Sequence, residues 1–262
     1  MSGIDRLLEG KVVVLIGGAG LLGQAFARAT LAAGAITVLA DLEIERATAV
    51  RDALAAESSS DRLHSFAVDI TSKASLEALI SDLCARFGHV DAVVNSAYPR
   101  NKQYGRRLEN VEYADFCENI SLHLGGYFLS TQQFAKYFRQ QGHGHVVNMS
   151  SIYGIVPPRF DIYRGTPMTM PVEYAAIKSA LQHLSLYFMR YYQGTPLRFN
   201  CISPGGILDM QPQKFVDAYR TYSQSKGMLV PQDITGTLIY LLSDLSQFVN
   251  GQNIVVDDGW SA

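Results

Sequence analysis

Residues 11–28 read KVVVLIGGAGLLGQAFAR, which is an apolar run, then a glycine-rich turn, then a run of helix formers. The β-branched and leucine residues from Val12 to Ile16 are typical of a strand buried on both faces. Glycines follow at 17, 18, 20 and 23, and residues 21–33 favour a helix. This order predicts a phosphate-binding turn, because free N–H groups at a helix N-terminus attract anions. Spaced glycines alone also occur in ordinary surface turns, so the motif needs support from the next segment of the chain.

An acidic residue stands where a dinucleotide site needs one. A second apolar run, Ile36 to Ala40, ends at Asp41, 24 residues after Gly17. A carboxylate at about this distance accepts hydrogen bonds from the adenosine ribose and repels a 2′-phosphate. We therefore expect NAD as the cofactor, without excluding NADP. The alternative is that Asp41 only caps the next helix.

Length and composition predict a single globular domain with a sizeable core. The chain has 262 residues, of which 48% are hydrophobic and 18% charged. Its net charge of −2 argues against nucleic acid or a membrane surface as a general partner. Cys84, Cys117 and Cys201 lie far apart without metal-ligand spacing, which predicts reduced thiols, no bound metal and a cytoplasmic location. We also expect no signal segment and no membrane span.

Strand-like and helix-like segments alternate along the chain. Their alternation predicts an α/β fold with a doubly wound, seven-stranded parallel sheet of Rossmann type, in one domain over residues 1–262. The predicted strands are 12–16, 36–40, 63–68, 90–94, 145–149, 197–202 and 253–256. The predicted helices are 21–33, 43–56, 73–87, 112–140, 172–192, 211–224 and 232–244. We expect substrate loops at 98–110, 153–171 and 205–228.

Residues that directly follow the strands are candidates for ligand contacts, because ligands of such sheets lie at the carboxyl ends of the strands. Asp69, after the third strand, either contacts the adenine or, like Thr71, caps the next helix. The expected cofactor contacts are Gly17, Gly20, Leu21, Leu22, Asp41, Asp69, Ile70, Asn95, Ser96, Ala97, Tyr174, Lys178, Pro204, Gly205 and Ile207.

Tyr174 and Lys178 form the strongest catalytic candidate. They are four residues apart in a helical stretch and hence on one face. A nearby cation lowers the pKa of a phenol, whose usual value of about 10 is too high for a base at neutral pH. Two other Tyr/Lys pairs have this spacing, at 98/102 and 222/226, but Pro99 and Gly227 remove their helical context.

These motifs together resemble the short-chain dehydrogenase/reductase family. The resemblance rests on Gly17-x-x-Gly20-x-x-Gly23, Asp41, Asn95-Ser96-Ala97, Ser151, Tyr174/Lys178, Pro204-Gly205 and Val256-Asp257-Asp258-Gly259, in the family's order over nearly the whole chain. The stretches at 97–101, 122–129 and 168–180 are similar to a flagellin-modification branch of that family. This branch is associated with bacterial surface-sugar (nonulosonate) biosynthesis.

The resemblance implies roles for individual residues. Tyr174 is the expected acid/base, Lys178 lowers its pKa and holds the nicotinamide ribose, and Ser151 hydrogen-bonds the reacting oxygen. Ser150 is the alternative to Ser151, and either serine could instead be a core or capping hydroxyl.

The chain departs from the family's pattern at four positions. Ile16 replaces a Thr, and Leu21 replaces a glycine, which brings the spacing nearer that of sugar-nucleotide epimerases. Asp209 replaces a Thr that often meets the nicotinamide carboxamide. His123 replaces a relay Asn, so it is either a proton relay or a core histidine.

Two basic segments flank the predicted site. The gap between Ser151 and Tyr174 is about ten residues longer than usual in the family, and it contains Arg159 and Arg164. A second basic cluster, Arg100, Lys102, Arg106 and Arg107, follows the fourth strand. Arginine suits phosphate or carboxylate recognition, so Arg100, Arg159 and Arg164 are candidate contacts for an anionic sugar-type substrate. The alternative is a solvated basic surface.

These observations predict an NAD(P)-dependent enzyme that interconverts a hydroxyl and a ketone on a sugar-derived, anionic compound, such as a sugar phosphate or nucleotide sugar. Three alternatives stay open. They are reduction of a lipid or polyketide ketone, a sugar-nucleotide epimerase or dehydratase with bound NAD, and a non-catalytic dinucleotide-binding protein. The aromatic residues on helices 112–140 and 172–192, together with the resemblance, imply a homodimer or homotetramer.

Overall fold

Seven parallel strands form one sheet in the computed structural model, which describes residues 6–58 and 61–262. The strands are β1 (Val12–Ile16), β2 (Ile36–Asp41), β3 (Leu63–Ala67), β4 (Ala92–Asn95), β5 (Gly144–Met149), β6 (Leu197–Pro204) and β7 (Asn253–Val256). Their order across the sheet is β3-β2-β1-β4-β5-β6-β7. The predicted doubly wound Rossmann-type sheet is confirmed.

Helices connect the strands on both faces of the sheet. They are α1 (Leu21–Ala32), α2 (Ile44–Ser58), α3 (Lys73–Phe87), α4 (Tyr113–Asn119), α5 (Gly126–Gln141), α6 (Val172–Tyr191), α7 (Gln213–Arg220) and α8 (Thr235–Leu242). A π-helical segment, Ile120–Gly125, joins α4 to α5, so the predicted helix at 112–140 is continuous but not regular. Helix α7 is shorter than predicted, because Pro212 stands at its N-cap and its last turn gives way to irregular backbone after Thr221.

Alternate residues of β1 pack into two separate cores. Val12, Val14 and Ile16 pack against α3, α5 and α6, whereas Val13 and Leu15 pack against α1, α2 and α8. All five side chains of this strand are buried. Burial on both faces explains why this strand is continuously apolar and does not alternate with polar residues.

The chain changes direction across the sheet between β1 and β4. Strands β2 and β3 lie on one side of β1, and β4 to β7 lie on the other. The loops after β1 and β4 therefore diverge and leave a crevice at the carboxyl ends of the strands. In the described ranges, no helix is long and apolar enough to cross a bilayer.

Candidate active site

The glycine turn after β1 is built so closely that side chains cannot fit. Gly17 has a φ of +78°, and a Cβ placed on it would lie 2.6 Å from the backbone nitrogen of Ala97. A Cβ on Gly23 would overlap the carbonyl oxygen of Gly17. No side chain caps α1 and no acidic residue lies in its first turn, so its free N–H groups lack a side-chain partner. This cradle fits the diphosphate of a dinucleotide.

Asp41 lies beside this turn at the end of β2. Its Oδ2 accepts a hydrogen bond from the Ala19 N–H at 3.0 Å, and the side chain is half-buried. A second carboxylate oxygen is left for a ligand, as a ribose-binding residue requires. The position therefore fits the adenosine half of a dinucleotide.

The residues after β3 show a different capping arrangement from the one predicted. Ser72, and neither Asp69 nor Thr71, is the N-cap of α3, and it accepts from the Ser75 N–H. Asp69 instead accepts hydrogen bonds from the N–H and the hydroxyl of Thr71. The side chain of Ile70 is buried in the core, so only its backbone remains for a ligand.

Asn95, at the end of β4, has a structural role, whereas Ser96 and Ala97 after it line the cavity. Asn95 is fully buried; its Nδ2 donates to Asn148 Oδ1 at 2.7 Å and its Oδ1 accepts from Ser130. It joins β4 to β5 and does not line the cavity. Ser96, whose hydroxyl donates to the Ile16 carbonyl, and Ala97 do line it.

A cavity of about 410 Å³ extends from the glycine turn over the carboxyl ends of β4, β5 and β6. It gathers many of the predicted site residues, namely Gly20, Leu21, Leu22, Ser96, Ala97, Ser151, Tyr174, Lys178, Pro204, Gly205 and Ile207. Other predicted residues do not line it, namely Gly17, Asp41, Asp69, Ile70, Asn95, Arg100, His123, Arg159 and Arg164.

Tyr174 and Ser151 face the same cavity and interact with each other. Tyr174 lies in the first turn of α6, and Ser151 follows β5. Burial raises the pKa of Tyr174, and the hydrogen bond with the Ser151 side chain lowers it by a smaller amount. Ser150 also lines the cavity, but its hydroxyl is engaged because it donates to the Lys178 carbonyl. The structure thus distinguishes the two serines.

Lys178 lies one turn after Tyr174, as the spacing predicted. Its Nζ is 5.5 Å from the centre of the Tyr174 ring and donates to the Met149 carbonyl at 2.7 Å. Burial lowers the pKa of Lys178 to about 7. The expectation of a lowered Tyr174 pKa therefore needs correction, since burial dominates both groups and raises the pKa of the phenol.

His123 lies in the π-helical segment behind the cavity. Its Nε2 is 3.5 Å from Lys178 Nζ, and its side chain is fully buried. Burial first, then the charges of Lys178 and Arg100, hold the pKa of His123 well below its usual value, so the ring is neutral. Among the described residues, Nδ1 has no hydrogen-bond partner.

Several aromatic residues of the site were not predicted. Tyr98 packs edge-on against both Tyr174 and His123, with ring centres 5.8 and 5.3 Å apart. Its hydroxyl donates to that of Tyr104. The sequence could have indicated Tyr98, because this residue directly follows Ser96 and Ala97, which were predicted to contact the cofactor. Tyr127, Tyr153, Tyr163, Phe215 and Tyr219 also line the cavity but come from distant segments.

The predicted substrate arginines lie outside the cavity wall. The Arg159 guanidinium stacks on the rings of Tyr222 and Trp260, at 4.2 and 5.1 Å. It thereby fastens the 156–170 segment, which contains a 3-10 turn at Phe160–Tyr163, to the C-terminal region. Arg100 stacks on Tyr98 at 4.6 Å and is exposed, so of the three it is the one attached to a cavity-lining residue.

Comparison with known proteins agrees with this geometry. A family model described as enoyl-(acyl carrier protein) reductase matches residues 18–261. The chain is 39% identical over 255 residues to the post-translational flagellin modification protein A of Campylobacter coli, which covers 97% of this chain and 99% of that protein. The chain belongs to the short-chain dehydrogenase/reductase family.

Two further proteins are similar over nearly the whole chain, at lower identity. D-threitol dehydrogenase of Mycolicibacterium smegmatis is 30% identical over 98% of this chain and 95% of its own length. The crystal structure of a short-chain dehydrogenase from Leptospira borgpetersenii with bound NAD+ superposes with a TM-score of 0.87. It is 27% identical and covers 100% of this chain and 97% of its own. The protein is therefore an oxidoreductase of a family that binds NAD(P).

Proposed function

We propose that this short-chain dehydrogenase/reductase uses NAD to interconvert a hydroxyl and a ketone on a sugar-derived compound. One observation carries the proposal: Tyr174, Ser151 and Lys178 line the same cavity as the end of the glycine turn. A protein that only bound a dinucleotide would not need this set. The similarity to the flagellin modification protein of Campylobacter coli supports a role in bacterial surface-sugar or flagellin-glycan biosynthesis.

The state of Tyr174 supports ketone reduction at neutral pH. When bound, the nicotinamide supplies or accepts the hydride. Because burial raises its pKa, Tyr174 keeps its proton and donates it to the carbonyl oxygen while the carbon receives the hydride. Ser151 hydrogen-bonds the same oxygen and thereby helps to orient the carbonyl. The reverse reaction, alcohol oxidation, requires the phenolate.

Lys178 and His123 are the proposed groups for returning the proton to Tyr174. Lys178 has a pKa of about 7, so it exchanges protons easily at neutral pH. Its Nζ is 3.5 Å from the neutral His123 ring, which can accept a proton at Nε2. We propose that His123 takes the place of a relay Asn.

The substrate enters with an uncharged end. The wall beyond Tyr174 contains Tyr153, Tyr163, Met168, Met170 and Phe215, and among the described residues it contains no arginine. Tyrosine hydroxyls suit the hydroxyl groups of a sugar. Arg100, exposed and stacked on Tyr98, is the candidate contact for a phosphate or nucleotide group that stays at the rim.

Asp41 supports NAD over NADP, because its carboxylate would repel a 2′-phosphate. The free thiols of Cys84, Cys117 and Cys201 support the expected cytoplasmic location.

The test is a screen of sugar phosphates and nucleotide sugars with NAD and NADP, read by NADH absorbance in both directions. We expect turnover by the unaltered chain, and a loss of about 100-fold or more in kcat for Tyr174→Phe with NADH binding retained. Full turnover in Tyr174→Phe would contradict the proposal. An epimerase or dehydratase would instead convert the substrate without net formation of NADH.

A further inference from the structure

Few charged side chains line the cavity, and they differ in their exposure to solvent. Among the described residues, Lys178 and Asp209 are its charged side chains. Lys178 is buried and bonded to the Met149 carbonyl, whereas Asp209 is exposed on the segment after β6. The backbone N–H of Asp209 donates to Gln211 Oε1. Within 6–58 and 61–262 its carboxylate forms no hydrogen bond or ion pair.

We propose that the carboxylate of Asp209 raises the affinity of the site for NAD+ relative to its affinity for NADH. The inference rests on the proposed NAD-dependent function. NAD+ and NADH differ in the nicotinamide ring, which carries a positive charge only when oxidised. A fixed carboxylate in the same cavity attracts the first and leaves the second almost unaffected, so it acts on their difference in affinity.

The cavity that must receive the nicotinamide is the one that Asp209 lines. The nicotinamide must reach Tyr174 and Ser151 for hydride transfer, and both line the cavity together with Asp209. Opposite unit charges at about 7 Å change a binding constant by about 3-fold in water and by about 50-fold at an effective dielectric constant of 20. Because Asp209 is exposed, we expect a value near the lower limit, about 3- to 10-fold.

This preference favours ketone reduction on the enzyme. Stabilising the oxidised cofactor lowers the energy of the state that exists after the hydride has left. The direction agrees with Tyr174, which holds the proton that the new hydroxyl needs. Asp209 and Tyr174 would thus favour the same direction by independent physical means.

Equilibrium binding of NAD+ and NADH, measured by calorimetry without any substrate, tests the inference. In Asp209→Asn we expect the dissociation constant of NAD+ to rise by about 3- to 10-fold and that of NADH to change less than 2-fold. Asp209→Glu, which keeps the charge, should retain the preference. Asp217→Asn is the matched control, because Asp217 lies on nearby α7, is exposed, and accepts from Gln213 outside the cavity. If the chain binds NADP+ and NADPH instead, the same ratio applies to that pair.

The outcomes separate the two proposals. An equal change for both cofactors in Asp209→Asn, or the same selective change in Asp217→Asn, would overturn the role of Asp209 and leave the proposed function intact. Failure of the unaltered chain to bind any of these cofactors would overturn both. Thermal melting of Asp209→Asn checks that the variant is folded.

Discussion

At the scale of single residues, burial decides the charge of the proposed catalytic groups more than their mutual distance does. Lys178 was predicted to make Tyr174 acidic, and the two side chains are indeed one helical turn apart. Both are buried, however, and removal from water disfavours the charged form of each. Spacing along a helix can be predicted from sequence, but the depth at which a helix is buried cannot.

The lowered pKa of Lys178 predicts a pH dependence of stability. The unfolded chain binds a proton at Lys178 below about pH 10.4, whereas the folded chain binds it only below about pH 7. Stability therefore rises with pH between these values, since the unfolded state holds more protons there. We expect the free energy of unfolding of the natural chain, relative to Lys178→Met, to increase by about 2 kcal/mol from pH 7 to pH 9. Urea unfolding at both pH values measures this difference, and parallel curves would contradict it.

Asp41 leads to a prediction about cofactor choice. Its Oδ2 accepts from the Ala19 N–H, so Asp41→Asn keeps an acceptor for the turn and removes only the negative charge. We expect the ratio of the NADP+ to NAD+ dissociation constants to fall by about 10-fold, which corresponds to about 1.4 kcal/mol. Binding titrations with both cofactors measure the ratio. Asp52→Asn, which removes an exposed carboxylate paired with Arg51 on α2, should leave it unchanged.

At the scale of elements, the sequence predicted the strands well and missed an irregular helical segment and a long-range ring contact. All seven strands were predicted to within about two residues at each end, because buried parallel strands are continuous apolar runs. The π-helical segment at Ile120–Gly125 was not predicted, since one extra residue per turn leaves the composition unchanged. The Tyr98–Tyr174 contact was also missed, because it joins a loop to a helix 76 residues later, and no periodic pattern encodes such a pair.

The first turns of α1 and α8 offer a matched pair of glycine substitutions. A Cβ at Gly23 would overlap the Gly17 carbonyl, whereas a Cβ at Gly236 would meet nothing within 4 Å. We expect Gly23→Ala to destabilise the fold by about 1–3 kcal/mol and to weaken NADH binding, because the phosphate-binding turn must open. Gly236→Ala, inside α8, should stabilise it by about 0.5–1 kcal/mol. Thermal melting and NADH fluorescence give both results; equal behaviour of the two variants would contradict the close packing of the turn.

At the scale of the whole molecule, the site depends on segments that are remote in sequence and meet at one edge of the sheet. The glycine turn follows the first strand, and the proposed catalytic residues come from the end of β5 and from α6. The aromatic cover over the far end of the cavity comes from the 156–170 segment, α7 and Trp260, which pack in a third hydrophobic cluster. A parallel sheet permits this division, because every strand delivers its carboxyl end to the same edge.

The outer surface of α6 predicts an assembly of identical subunits. Tyr187 and Tyr191 are 62% and 65% exposed and stack on each other with ring planes 16° apart. Tyr187 also contacts Phe188, which in turn contacts the exposed Phe128 of α5. Clustered exposed aromatic residues are typical of surfaces that bind another protein, and closed symmetric assemblies are the usual result for identical chains. We expect a dimer or tetramer in sedimentation velocity at micromolar concentration, that is, two or four times 28.8 kDa.

Tyr187→Arg should lower this mass, because it places a charge in the contact between subunits. Leu108→Arg, an exposed apolar position outside these helices, should not. A natural chain that sediments as a monomer would show that α5 and α6 do not form the interface.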